Sequence, residues 1–565
     1  MKKHSFIFNS AILLITVFIT KGLGLFFKIP LTNLLGGNGM AYFSSAYSIF
    51  MPIYAISVTG LPTAICKLVS ENLAFKKYNN IQQIFKVSLF VFSIIGIVST
   101  LMLIIFAKPL SEHVFHSPGS LLSVLFISPC IYLGTIISVY RGYFEGLSNM
   151  IPTAISEILE SITKVSCGLI FAYSSYNYLI DRFMVTGKVI GIICSDKNDA
   201  LKVIFPIVSA AAIFGVTLSN FVCMIYMIIY YKTKKSEIIN IASYDLVDTP
   251  RNILTKLSTM IFPIAIGSLV TNLTSLIDLA SIIRCLGTVI ENNKVYMVQK
   301  NIDVILNGIS LNELPHFIYG SYNGLALTVF NIIPPFIAML GKSVLPNISA
   351  SWSLKNKSAL ESDIKSVLRF SLMIGTPAGL GILTLSKPIL EFFFKSRSDE
   401  IFVSYQSLSI LGLAVIFLSI SIPCFSIFQA IGRADIPLKI LIPSVIIKLI
   451  GNMTLMRIDR FNILGAAIST TICYLYISIC SLSELINISR IKLNILSLSI
   501  PILISSSGCV FTALLTYNLL TNNLPQRFSL LLSIFFGVIF YILLMILLCV
   551  MTKYAKIRAF KKKIS

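Results

Sequence analysis

Long apolar runs separated by short polar breaks organise the chain from end to end. Fourteen runs are predicted, at 5–27, 40–66, 85–107, 118–140, 151–174, 203–231, 256–283, 318–345, 365–386, 401–428, 436–456, 463–483, 495–520 and 527–552. A helix needs roughly 20 residues to cross a bilayer. Only helices and closed barrels satisfy the backbone in lipid, and these runs lack the alternation of barrel strands. The pattern therefore predicts an all-α polytopic membrane protein with about 14 transmembrane helices.

Composition agrees. Of the 565 residues, 56% are apolar and only 12% charged, and mean hydropathy is +0.87. A soluble chain of this length needs far more polar residues to cover its surface. A soluble enzyme, a secreted disulfide scaffold and a disordered tail protein are excluded. The 11 cysteines form no CxxC pair and lie mostly within apolar runs, where they read as small buried hydrophobes. Cys194 and Cys285 fall in predicted loops on one side and are the pair that could meet. Met1-Lys2-Lys3-His4 resembles a signal peptide's basic start, but no small-residue cleavage site follows, so the first run is read as a retained helix.

The net charge of +22 acquires meaning from its placement. With the N-terminus in the cytoplasm, 25 of the 45 Lys and Arg fall in cytoplasmic segments and 15 on the opposite side. The positive-inside rule then places both termini in the cytoplasm. The excess charge is a topology signal and a contact for anionic lipids, not a nucleic-acid footprint.

The chain also repeats itself. Tyr47 to Pro52 and Thr59-Gly-Leu-Pro62 are echoed by Leu327 to Pro335 and Ser343-Val-Leu-Pro346. Phe144 to Pro152, with Lys164 beyond, is echoed by Phe428 to Pro437, with Lys448 beyond. Pro62 and Pro346 are 284 residues apart, and Pro152 and Pro437 are 285 apart. Two six-span blocks follow, 1–245 and 246–488, with 489–565 adding two helices and a basic tail. An even number of spans makes the repeats parallel, a plan known from secondary transporters. Pro52, Pro62, Pro335 and Pro346 are hinge candidates, because proline removes a helical hydrogen bond and permits a bend.

Ionisable groups inside spans are costly and usually face a bundle interior or a wet cavity. Lys21 and Lys28 share one face of the first span, seven residues apart. Glu157, Glu160 and Lys164 share one face of the fifth. Asp278 lies in the seventh span and Lys448 in the eleventh. Together these are the candidate substrate-binding set, a largely cationic cavity suited to an anionic substrate such as a phosphate. Bland alternatives are a structural Glu160–Lys164 pair and neutralisation of Lys21 by Asp278. No P-loop or GxSxG occurs, and His113-x-x-His116 lacks a third ligand. A transporter is expected rather than an enzyme, with no catalytic residue, metal or cofactor.

Lys21-Gly-Leu-Gly, Lys28-Ile-Pro-Leu-Thr-Asn-Leu-Leu-Gly36, Gly60 to Glu71, and Arg141-Gly-Tyr-Phe-Glu-Gly-Leu-Ser-Asn-Met-Ile-Pro-Thr-Ala-Ile-Ser-Glu157 resemble the stage V sporulation protein B and MurJ-like lipid-linked oligosaccharide flippases. These belong to the multidrug/oligosaccharidyl-lipid/polysaccharide (MOP) exporter superfamily. The resemblance implies two pseudo-symmetric six-helix lobes plus two C-terminal helices. It implies movement of an undecaprenyl-pyrophosphate-linked saccharide, a lipid II-like precursor for cell wall or spore cortex, from the inner to the outer leaflet. Alternating access would be driven by membrane potential or an ion gradient. Partners would be the lipid-linked saccharide, membrane lipids and cell-wall synthesis enzymes. The resemblance carries the first-helix cavity role onto Lys21 and Lys28; the basic residue such flippases have in the second helix has no counterpart between Tyr42 and Pro62. Rival readings are a drug or cation antiporter of the same superfamily, a membrane glycosyltransferase or polymerase, and a non-transporting scaffold for cortex synthesis.

Overall fold

The computed structural model describes the backbone of residues 6–239, 247–307, 309–344, 348–349, 351–352, 354–433, 435–491 and 495–564. Apart from a two-stranded antiparallel hairpin, β1 (Lys188–Val189) and β2 (Ile192–Ile193), the described regular structure is helical. Twelve described helical stretches are long and apolar enough to cross a membrane. Two features account for the difference from the expected fourteen. The stretch Ile15–Leu73 runs for 59 residues and joins the end of the first predicted span to the whole of the second. The fifth predicted span is a 36-residue helix whose charges dilute its hydropathy. At about 1.5 Å per residue it rises about 54 Å, ample for a bilayer.

The chain folds into two units, Met1–Gly324 and Leu325–Ser565. Unit 1 begins with α1 (Phe6–Val58), whose two limbs meet at Gly36. There φ is 61° and ψ −165°, a conformation that favours a residue without a Cβ. Next come α2 (Leu61–Ala74), α3 (Tyr78–Pro109), α4 (Leu121–Ile127), α5 (Pro129–Gly146), α6 (Ile151–Thr186) and α7 (Lys197–Ile239). The unit closes with α8 (Pro250–Asn292), α9 (Lys294–Lys300), α10 (Ile302–Leu306) and α11 (Leu314–Ser321). One core joins α2, α3, α5, α7 and α8 through Ile65, Phe85, Tyr143, Met227 and Leu257. Phe85 is its hub, stacked on Tyr231 with ring centroids 4.6 Å apart and tilted on Tyr143 at 4.7 Å.

Unit 2 contains α12 (Leu327–Phe330), α13 (Ile333–Ser343), α14 (Lys357–Phe394), α15 (Ser398–Ala430), α16 (Asp435–Leu455), α17 (Ile463–Ser489), α18 (Ile495–Leu520) and α19 (Gln526–Ile564). Its main core brings together α14, α15, α16 and α17 through Ile364, Leu368, Phe428, Ile440 and Ile477. The final two helices pack beside α14. Leu372, Ile502 and Met545 form one cluster, and the Tyr541 hydroxyl donates to the Met373 carbonyl at 2.9 Å. Cys194 and Cys285 are both buried, and no disulfide joins them.

Candidate functional site

Unit 1 holds an open cavity of about 260 Å³. Gly24, Phe27 and Lys28 line it from the first limb of α1, and Phe43, Ser44, Tyr47, Ser48 and Met51 from the second. Lys164 of α6, Ser275 of α8 and Asn323 complete the wall. The Lys28 ammonium donates to the Asn323 carbonyl at 3.3 Å. The Lys164 ammonium lies 5.2 Å from the Phe27 ring centroid and 5.7 Å from that of Tyr47, within cation–π range of both. Phe43 supports this aromatic wall, its centroid 5.0 Å from that of Tyr47 and 6.1 Å from that of Phe27. Two ammonium groups therefore share a small volume with hydroxyls and an amide, and no carboxylate is among its described lining residues. Such a site favours an anion, because charge-assisted contacts strengthen where water is scarce.

The other candidate residues are distributed around it. Lys21 is exposed on α1, two turns before Lys28, and has no ion-pair partner among the described residues; its pairing with Asp278 does not occur. Asp278 is buried on α8 at 5% exposure, one turn from cavity-lining Ser275. Lys448 is buried in unit 2 on α16. It continues a stripe of Ile436, Ile440, Ser444 and Asn452 at four-residue spacing, so the inner face of that helix turns polar along its length. Glu157 is half-buried on α6.

Glu160 has a partner that the sequence reading missed. Its carboxylate accepts from Arg141 of α5 at 3.0 Å, while the same guanidinium donates to Ser156 at 2.9 Å. Arg141 lies one residue beyond the fourth predicted span, 118–140. The helix instead continues to Gly146 and carries the arginine into the bundle, with only 17% of its side chain exposed. The segment Arg141-Gly-Tyr-Phe-Glu-Gly146 thereby acquires a residue-by-residue explanation. A Cβ at Gly142 would sit 2.8 Å from the Pro62 carbonyl oxygen, and one at Gly146 2.8 Å from that of Cys66, so both glycines admit the α2 backbone. Tyr143 and Phe144 fill the core, and Glu145 accepts from Thr153 at 3.1 Å.

Pro52 lies inside the second limb of α1, and Pro62 opens α2 after a break at Thr59-Gly60. Pro335 lies in the first turn of α13, after a break at Asn331-Ile332. Pro346 is outside the described residues.

Membrane-length helices around a cationic, aromatic-walled cavity define a polytopic membrane protein, and its fold is that of the MOP superfamily transporters. Over 94% of this chain and 97% of the other, it superposes on lipid II flippase MurJ in an inward closed conformation, with TM-score 0.64 and 15% identity. An inward-facing multidrug resistance MATE family transporter gives TM-score 0.59 at 12% identity, over 85% of this chain and 96% of that one. Two family models match the sequence: polysaccharide biosynthesis protein over residues 7–194 and lipid II flippase MurJ over 325–506. Stage V sporulation protein B of Bacillus subtilis is 21% identical over 412 residues, 72% of this chain and 70% of the relative. Lipid II flippase MurJ of the same organism is 22% identical over 482 residues, 82% and 79% of the two chains. The resemblance read from the motifs is thus real. The chain is a homologue of stage V sporulation protein B and MurJ.

Proposed function

We propose that the protein moves a polyprenyl-pyrophosphate-linked saccharide, a lipid II-like precursor for cell wall or spore cortex, from the inner to the outer leaflet of the bacterial cytoplasmic membrane. The observation that carries this reading is the pairing of Lys28 and Lys164 in one cavity whose described lining has no acid. A pyrophosphate supplies the negative charge that two neighbouring ammonium groups call for, and the Ser44, Ser48 and Ser275 hydroxyls offer hydrogen bonds to polar substrate groups. Transport would proceed by alternating access between lobes at 1–245 and 246–488, coupled to membrane potential or an ion gradient, with both termini cytoplasmic. The repeat supports the lobe division. Pro152 and Pro437 both fall in the first turn of their helices, and Lys164 and Lys448 follow about three turns later.

The likeness to a MATE transporter favours a second reading, antiport of drugs or cations. A cation site calls for acidic lining, opposite to the charge found here. The deciding experiment reconstitutes the protein in vesicles, supplies fluorescent polyprenyl-pyrophosphate-linked saccharides or a cationic dye, and varies each ion gradient in turn. Protein-dependent movement of the lipid-linked saccharide is expected. Movement of the dye alone would overturn the flippase reading.

A further inference from the structure

A second hollow in unit 1, of about 510 Å³, differs in chemistry from the cationic cavity. Its floor is α7, where Ala210 and Ala211 leave the space, with Ile207 and Phe214 at either end. Leu122 and Phe126 of α4 form one wall; Phe171, Ser174, Ser175 and Tyr178 of α6 form the other. The rings of Phe126 and Phe171 each stand 5.6 Å from that of Phe214. Beneath them Ser123 and Ser209 satisfy each other at 3.0 Å, and the Thr217 hydroxyl donates to the Phe126 carbonyl, so these polar groups are consumed in joining α4 to α7. Phe126, Tyr178 and Phe214 remain more than 40% exposed. Such exposed apolar side chains suit contact with a hydrocarbon chain better than contact with water.

One face of α6 links the two hollows. Lys164 is followed on it by Phe171, Ser175 and Tyr178, at intervals of seven, eleven and fourteen residues, all within about 40° of the same direction at 3.6 residues per turn. A group held by Lys164 therefore lies about 10 to 21 Å along the helix from the apolar hollow. Cation and greasy cleft are presented by a single rigid element in the order in which a lipid-linked phosphate carries its own head and tail.

We propose that the cleft between α4, α6 and α7 holds the polyprenyl chain of the transported lipid while its pyrophosphate is engaged near Lys164. The cleft is built from unit 1 alone, and the inference rests on the flippase reading. The test uses full-length protein in vesicles with p-benzoylphenylalanine placed at Tyr178 on the cleft rim, and at exposed Phe535 of α19 as the comparison position. Irradiation with a polyprenyl-pyrophosphate-linked saccharide should give several-fold more adduct at position 178 than at 535. Excess unlabelled polyprenyl lipid should compete the adduct away, and excess phosphatidylglycerol should not. Ala211→Trp, which fills the floor, should lower flipping of the long-chain substrate several-fold while sparing an analogue with a short prenyl tail. Equal labelling at 178 and 535, or equal competition by phosphatidylglycerol, would overturn the cleft assignment while measured flipping leaves the function standing. Absence of flipping of either lipid by the unmodified protein would overturn both.

Discussion

Two ammonium groups in one cavity repel each other, and an anion between them removes that cost. Lys28→Gln and Lys164→Gln are therefore each expected to weaken capture of a pyrophosphate-linked lipid. The loss should be roughly ten- to a hundredfold, corresponding to about 1.5–3 kcal/mol for a hydrogen bond to a charged group. Lys21→Gln should lower it much less, since Lys21 is exposed and outside the cavity lining. Flipping at matched expression measures all three, and an equal loss in Lys21→Gln would remove the distinction drawn from the cavity. Arg141 and Glu160 make a separate prediction. Loss of either partner leaves one charge unpaired within the bundle, so Arg141→Ala or Glu160→Ala should lower the melting temperature. The double change should recover part of it. Additive losses would show that the contact is not an energetic pair. The cost of burying charge made Lys28 and Lys164 legible as candidates in the sequence. Their meeting was not legible, because it depends on α6 crossing both limbs of α1. Arg141 fell outside the predicted span for a related reason: a hydropathy boundary stops at the first charge, whereas a paired charge can continue into a bundle.

At the scale of elements, the fold depends on how closely helix backbones approach. A Cβ at Gly215 of α7 would fall 2.4 Å from the Cα and N atoms of Gly168 on α6, and backbone cannot swing aside. Gly215→Ala should force the two helices apart, at about 1–3 kcal/mol. Gly22 of α1 offers the matched contrast, since a Cβ there would meet nothing within 4 Å. Gly22→Ala should be neutral or raise stability by up to about 1 kcal/mol through helix propensity. Thermal unfolding in detergent compares them, and equal melting temperatures would contradict the packing argument. Apolar run length made most spans visible before the structure. Contact between particular glycines was not visible, because small residues recur throughout apolar helices and the sequence does not say which face a partner. The sharp turn at Gly36 was also hidden, since α1 stays apolar on both sides of it.

At the scale of the whole molecule, the topology turns on one helix. α6 carries Glu157, Glu160 and Lys164, three charges within the predicted span 151–174. The packing gives a reason for it to cross: Glu160 is paired with Arg141, and Lys164 turns into the aromatic wall of the cavity, so these two charges have places inside the bundle. Its sidedness can be measured, because every later segment changes side if α6 fails to cross. With the crossing, the positive-inside rule places Lys76 and Lys355 in the cytoplasm and Asp196 and Asp303 outside. All four positions are exposed at helix ends or in turns. Single cysteines introduced there, in a protein otherwise free of cysteine, should react with an impermeant maleimide from opposite faces of intact cells or oriented vesicles. Labelling of Asp196→Cys from the cytoplasmic face, with Lys76→Cys also cytoplasmic, would mean that α6 does not span. It would then end the six-span parity on which the parallel repeat depends. Labelling from the outer face would fix the side on which the apolar cleft opens, since Phe171 and Tyr178 occupy the half of α6 that leads to the hairpin beside Asp196.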